Sequence, residues 1–187
     1  MPVFRIARAD FGAAPNLVSL VRIALVVPTL VLLAGGNRAA ALVLLAVMVA
    51  TDWLDGYLAR KTGRITELGK VLDPVADKLA IDGVLLVLTC RGEFPLWALC
   101  VVLARDALIL AGAVHVARRR LAVPSSVRVG KVALVVLAAM TIAYVADIDL
   151  LETPLLITGT ALVVVSGVAY ARRALDAGLP VGSSEER

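Results

Sequence analysis

The chain has 187 residues, of which 60% are hydrophobic and 18% are charged, and its mean hydropathy is +0.93. Soluble domains average roughly 45–50% apolar and about 25% charged residues, so this composition excludes an ordinary soluble domain, a disordered chain and a fibrous repeat. Lys and Arg total 19 against 15 for Asp and Glu. In so apolar a chain, this basic excess favours anionic lipid over nucleic acid as a partner.

Six apolar stretches follow one another along the chain, and each is long enough to cross a bilayer as a helix. Helices are expected because an isolated strand in lipid would leave its backbone groups unpaired. The predicted spans are about Leu17–Gly35, Ala39–Leu58, Val71–Cys90, Pro95–Val116, Val127–Ala146 and Pro154–Ala171. The sequence therefore predicts an all-α integral membrane protein with six transmembrane helices in a single domain, 1–187. Residues 1–15 are expected to form either a short interfacial helix or a plain tail, and residues 179–187 a flexible tail.

The distribution of basic residues predicts the topology. With both termini, the second loop and the fourth loop on one side, that side carries fourteen Lys and Arg residues. The opposite side carries only Arg38 and Arg91. Cytoplasmic loops are enriched in Lys and Arg, so both termini are expected to be cytoplasmic. The excess of 15 Arg over 4 Lys hints at a GC-rich bacterial genome, and the predicted location is a bacterial inner membrane.

Four aspartates are concentrated near the cytoplasmic ends of the second and third predicted helices. Asp52 and Asp55 are three residues apart, and Asp73 and Asp77 are four apart, so each pair shares a helix face. Carboxylates inside a membrane segment are costly and need partners or a function. Their hard oxygen atoms suit Mg²⁺, Mn²⁺ or Ca²⁺, and four of them suit a pair of divalent ions that neutralises phosphate charge.

The spacing around these aspartates resembles the signature of the CDP-alcohol phosphotransferase family, D-x-x-D-G-x-x-A-R-x8-G-x3-D-x3-D. Every defined position of that signature is filled between Asp52 and Asp77. The resemblance implies a CDP-diacylglycerol donor and two Mg²⁺ or Mn²⁺ ions held by the four aspartates. It also implies a polar cavity open to the cytoplasm and a homodimer. Asp77, the last aspartate of the motif, is the candidate general base toward the acceptor hydroxyl.

The same resemblance implies which residues hold the cytidine diphosphate part of the donor. Small residues allow close approach of a ligand or of a neighbouring helix, and a guanidinium can grip a pyrophosphate with two hydrogen bonds. The candidates are Gly56, Ala59, Arg60, Thr66 and Gly69, together with Pro15, Asn16, Leu17 and Val18 at the start of the first helix, followed by Ser19 and Arg22. Structural alternatives also exist, since Asn16 could cap a helix and Arg60 could anchor the chain at the membrane surface.

The acceptor side is predicted from Arg105, Arg118 and Lys131, which are candidates for binding an acceptor phosphate. Gly130-Lys131 and Arg105-Asp106 resemble elements of bacterial phosphatidylglycerophosphate synthases, although Leu134 stands where a Thr is expected. Arg105 and Asp106 are neighbours on one helix and are expected to have partners elsewhere. The Arg118–Arg120 cluster could equally bind lipid headgroups.

These observations favour transfer of a phosphatidyl group to glycerol 3-phosphate, giving phosphatidylglycerol phosphate and CMP. Phosphatidylglycerol, as in a cardiolipin synthase, and inositol phosphate are the alternative acceptors. A cation-binding transporter is the alternative of another class, because buried carboxylates also mark ion pathways. It is disfavoured because the acids crowd one end and the sequence shows no repeat.

Overall fold

The computed structural model describes residues 14–62, 69–118 and 128–176, and side-chain positions within 20–51, 76–111 and 129–172. These residues form six helices and no strand, as the apolar stretches predicted. The helices are α1 (Ala14–Ala34), α2 (Arg38–Thr62), α3 (Gly69–Cys90), α4 (Leu96–Arg118), α5 (Arg128–Val145) and α6 (Asp149–Asp176). Residues 1–13 of the predicted segment 1–15 and the predicted tail 179–187 lie outside the described residues, while Ala14 and Pro15 belong to α1.

Short turns join three helix pairs at the positions where the sequence has Gly, Asn and Asp. Gly36 and Gly92 have positive φ angles of 83° and 76°, which glycine adopts without strain. The Asn37 side chain then accepts a hydrogen bond from the Ala40 amide at 3.1 Å and so caps α2. The third turn is shorter than predicted, because α6 begins at Asp149 and not near Pro154. Acidic residues in its first turn, Asp149 and Glu152, stabilise this early start.

The chain divides into two compact units. The first comprises described residues of Met1–Phe94 with Thr141–Ile148, and the second comprises described residues of Pro95–Met140 with Asp149–Arg187. In the first unit α1 packs against both α2 and α3. A glycine allows part of this packing, because a Cβ at Gly83 would lie 3.0 Å from the Leu30 Cδ1 atom. In the second unit α4 packs against α6, where Gly167 lies against the Arg105 side chain.

Apolar side chains also cover much of the outer surface. Exposed valine, leucine or isoleucine side chains occur on all six helices, for example Val31, Val43, Leu86, Leu110 and Val135. By length and composition, one described helix, Asp149–Arg172, could cross a membrane, with a mean hydropathy of 1.8. Shorter apolar helical segments span Leu20–Ala34, Arg38–Thr51 and Val129–Val145. Apolar surface of this extent is characteristic of a face that meets lipid or another protein.

The three turns of the first unit are linked by an ionic cluster, which we call the hairpin cluster: Arg38, Arg91, Glu93 and Asp147. Arg38 lies 3.1 Å from Glu93 and 2.8 Å from Asp147, and it donates a hydrogen bond to the Tyr144 carbonyl at 3.0 Å. Arg91 lies 2.9 Å from Glu93 and donates to the Ala34 carbonyl at 3.0 Å. The last carbonyls of a helix have no intrahelical partner, so Arg91 and Arg38 donate hydrogen bonds to carbonyls at the C-terminal ends of α1 and α5, respectively.

We expect Arg38→Met to lower the free energy of unfolding by about 1–2 kcal/mol, because it removes two partly exposed ion pairs and one carbonyl contact. Chemical unfolding of the detergent-solubilised protein would measure the loss. Arg172→Met, at an exposed arginine near the end of α6, is the matched control and should be near neutral. Equal stability of the two variants would contradict a stabilising role for the hairpin cluster.

Candidate active site

The helical backbone places the motif residues of α2 on one face. Positions 52, 55, 56 and 59 are separated by three or four residues within the continuous helix Arg38–Thr62, and position 60 follows at the edge of that face. These five positions therefore fall within the last three turns of α2. Their side chains lie outside the described set, so the backbone register is what supports this grouping.

On α3 the motif residues also recur once per turn, at positions 69, 73 and 77. Gly69 is the first residue of α3, and the helix continues through Asp73 and Pro74 to Cys90 without a restart. Pro74 is the sixth residue of α3, beyond the four first amides that lack an intrahelical acceptor, so it removes one backbone hydrogen bond from the helix without ending it. Asp73 and Asp77 thus stand one turn apart, as the sequence predicted.

Asp77 is the one motif aspartate whose side chain is described, and it pairs with Arg22 of α1. The Arg22 Nη1 atom donates to Asp77 Oδ1 at 3.2 Å. The Arg22 side chain is 2% exposed, whereas that of Asp77 is 36% exposed. A buried guanidinium needs a counter-charge, and Asp77 provides one across the α1–α3 interface. The pair therefore orients the Asp77 carboxylate.

This pairing was not predicted from the sequence, in which Arg22 was grouped only with the residues at the start of α1. The sequence nevertheless contained a feature that indicates a partner for Arg22. Arg22 lies within an apolar helix, and a charged residue in such a segment requires a partner. Which acidic residue would meet it could not be read from spacing, since Arg22 and Asp77 are 55 residues apart.

The predicted metal ligands have the right donor chemistry for Mg²⁺ or Mn²⁺, which bind carboxylate oxygens. Asp77 offers a partly exposed carboxylate, and the backbone puts the other three aspartates at helical repeats. Among the described side chains, no group of three or more His, Cys, Asp or Glu residues is close enough to hold a metal ion. Asp52, Asp55 and Asp73 lie outside that set. The donor set therefore fits a divalent cation by its chemistry and register.

The other donor-side residues fall at helix ends or outside the described residues. Pro15, Asn16, Leu17 and Val18 lie in the first turn and a half of α1. Thr66 belongs to residues 63–68, which the structure does not describe.

Arg105 is buried between α4 and α6, where it contacts its own neighbour. The Arg105 Nη1 atom lies 2.7 Å from Asp106 Oδ1, a contact between neighbours that the sequence did not predict. A long arginine side chain can bend back to the next residue when burial strengthens the attraction between the charges. The expected partner on another helix also exists, because Arg105 Nη2 donates to Ser166 Oγ on α6 at 3.2 Å.

The Gly130-Lys131 element lies in the first turn of α5, and Lys131 is exposed. Gly130 gives space to an aromatic ring, since a Cβ there would lie 3.2 Å from Tyr170 Cε2 and 3.3 Å from its hydroxyl. The helix register puts Leu134 one turn further along, 38% exposed. Arg118 is the last residue of α4, and its side chain is not among those described.

Strongly apolar helices that carry two carboxylate pairs at this spacing resemble the membrane-associated transferases of phospholipid biosynthesis. The chain belongs to the CDP-alcohol phosphatidyltransferase family, whose model matches residues 13–168. The resemblance drawn from the aspartate motif is therefore confirmed.

Relatives with related names match different shares of the chain. A probable phosphatidylglycerophosphate synthase of Mycobacterium tuberculosis is 32% identical over 182 residues, covering 90% of this chain and 84% of that protein. A CMP-forming cardiolipin synthase of Streptomyces coelicolor is 43% identical over 102 residues, which is 51% of this chain and 47% of that protein. This second match thus spans about half of the relative's length. The apo phosphatidylinositol phosphate synthase of Mycobacterium tuberculosis shares the fold, with a TM-score of 0.63 at 20% identity over 96% of each chain.

Proposed function

We propose that this protein transfers the phosphatidyl group of CDP-diacylglycerol to glycerol 3-phosphate, giving phosphatidylglycerol phosphate and CMP. The observation that carries the proposal is the complete aspartate motif on the faces of α2 and α3, with Asp77 oriented by a buried arginine. The phosphatidylglycerol phosphate product is supported by the name of the Mycobacterium tuberculosis relative, a probable phosphatidylglycerophosphate synthase that matches over 90% of the chain.

The proposed chemistry assigns a role to each motif residue. Asp52, Asp55, Asp73 and Asp77 would hold two Mg²⁺ or Mn²⁺ ions, which neutralise phosphate charge when bound. Asp77 accepts the proton of the acceptor hydroxyl, whose oxygen then attacks the phosphorus that carries diacylglycerol. The bond from this phosphorus to the bridging oxygen of the pyrophosphate breaks, and CMP leaves with the bonding electrons.

The remaining donor-side residues bind and orient the nucleotide. Arg60 is suited to the pyrophosphate, because its planar guanidinium can donate two parallel hydrogen bonds. Gly56, Ala59 and Gly69 leave room for the ligand, and Thr66 offers a hydroxyl to it. The residues Pro15–Val18 are proposed to lie beside the cytidine, as the family resemblance implies.

We place the protein in a bacterial inner membrane as one domain of six transmembrane helices with both termini cytoplasmic. Exposed apolar side chains on every described helix and the fourteen-to-two distribution of basic residues support this placement. The diacylglycerol chains would then remain in lipid while the nucleotide occupies a polar cavity open to the cytoplasm. Residues 1–15 are proposed as an interfacial segment, and the functional form as a homodimer.

Lys131 and Arg118 are the proposed ligands of the acceptor phosphate, because Arg118 ends α4, while Lys131 lies in the first turn of α5 and is exposed. Arg105 is also proposed to assist binding of the acceptor phosphate. Its guanidinium is buried against Asp106 and Ser166, so it would act through its charge and its position. The second candidate is a cardiolipin synthase reaction with phosphatidylglycerol as acceptor. The Streptomyces coelicolor relative and the apolar Leu134 favour it.

CMP release is the direct test. Purified protein with CDP-diacylglycerol and Mg²⁺ or Mn²⁺ should release CMP when glycerol 3-phosphate is added, and EDTA should abolish the release. Parallel reactions with phosphatidylglycerol and with inositol phosphate separate the acceptors. Metal-dependent release with phosphatidylglycerol alone would replace the first acceptor by the second. No release with any of the three acceptors would contradict the proposed function.

A further inference from the structure

The Arg22–Asp77 pair joins a fully buried cation to a candidate metal ligand. Arg22 is among the largest side chains of α1 that are buried, and its Nη1 atom lies 3.2 Å from Asp77 Oδ1. Burial of a guanidinium is costly unless a charged partner is fixed beside it. Simple anchoring of α1 to α3 would explain the pair, but so would a role in the chemistry of Asp77.

We propose that Arg22 is a positioning residue for Asp77 and the resident counter-charge of the carboxylate group, an inference that rests on the proposed function. The guanidinium holds one carboxylate oxygen, which restricts the rotation of Asp77 and presents the carboxylate to the acceptor hydroxyl. It also places a fixed positive charge within a few ångströms of any cation bound by the same carboxylate. Two cations on one carboxylate repel each other, so Arg22 weakens metal binding while it organises the base.

This double role predicts opposite effects on metal affinity and on turnover. Arg22→Met should tighten Mn²⁺ binding at least about threefold, because a repelling charge is removed. The same variant should lose at least about tenfold in kcat, because Asp77 is no longer held for proton transfer. Arg22→Lys keeps the charge and should return Mn²⁺ affinity to within about twofold of wild type. A purely structural contact would instead weaken both properties together.

The experiment measures Mn²⁺ binding by electron paramagnetic resonance of the purified protein in detergent, together with kcat and KM for CMP release. Arg38→Met is the matched control, since it removes another arginine from an ion-pair group in the same unit and should leave Mn²⁺ affinity unchanged. If Arg22→Met does not fold, Arg22→Gln provides the uncharged variant and should show the same tightening.

Unchanged or weaker Mn²⁺ binding in the uncharged variant would overturn the inference, and so would Arg22→Lys behaving like Arg22→Met. Failure of the wild-type chain to bind Mn²⁺ would overturn it as well. Failure of the proposed function is distinguishable, because it would abolish CMP release in wild type and leave the shift in Mn²⁺ affinity intact.

Discussion

Asp77→Asn is expected to lower kcat for CMP release by at least about 10²-fold, and by up to about 10⁴-fold if proton transfer limits the reaction. The amide cannot accept the acceptor's proton and is a poorer ligand for a hard cation. The variant should still fold but with a lower Tm, because the Asn side-chain oxygen can accept the hydrogen bond that Arg22 donates at 3.2 Å in the native pair, while the buried guanidinium loses its counter-charge. Steady-state CMP release and thermal unfolding of the same preparation measure both properties.

A control for the loss of one carboxylate is Asp147→Asn. Asp147 belongs to the hairpin cluster and pairs with Arg38, so this variant removes an acidic charge from the first unit without touching the motif. It should retain CMP release within about twofold. Full activity of Asp77→Asn would remove Asp77 from the reaction, and a loss shared equally by both variants would indicate a general effect of charge.

The second large effect is expected at Arg105. Arg105→Met leaves the Asp106 carboxylate, whose side chain is 12% exposed, without the cation that lies 2.7 Å away. Breaking one side of a buried ion pair costs on the order of 3 kcal/mol. For a chain of this size that corresponds to a fall in Tm of about 6–12 °C.

The double variant Arg105→Met/Asp106→Asn should recover at least half of that loss, because it also removes the carboxylate charge that the arginine balanced. Ser166→Ala, which removes only the hydroxyl that Arg105 contacts, should cost no more than about 1 kcal/mol. No destabilisation in the single variant would contradict the buried pair. If the double variant is stable and its KM for glycerol 3-phosphate equals that of wild type, Arg105 has no part in acceptor binding.

Sequence alone determined the helical class, the number of helices and the family. Backbone pairing in lipid leaves few alternatives to a helix, so apolar length is informative without tertiary contacts. The aspartate motif is equally local, because its spacing is defined by the helical repeat and by a short linker. The turns at Gly36 and Gly92 lie in the gaps between the predicted spans, and their positive φ angles suit glycine.

Only the tertiary structure determined which charged side chains pair with each other. Arg22 meets Asp77 on α3, Arg38 meets Glu93 and Asp147, and Arg105 meets both Asp106 and Ser166. Apart from Arg105 and its neighbour Asp106, these partners lie 55 or more residues apart in sequence, and helix periodicity cannot specify contacts between separate helices. The structure also decided where α6 begins, which is Asp149 rather than the predicted Pro154. The apolar pattern does not include the acidic residues of the first turn, whose charges stabilise the beginning of the helix. A charged residue in an apolar helix predicts that a partner exists, but only the packing of the helices determines which residue that partner is.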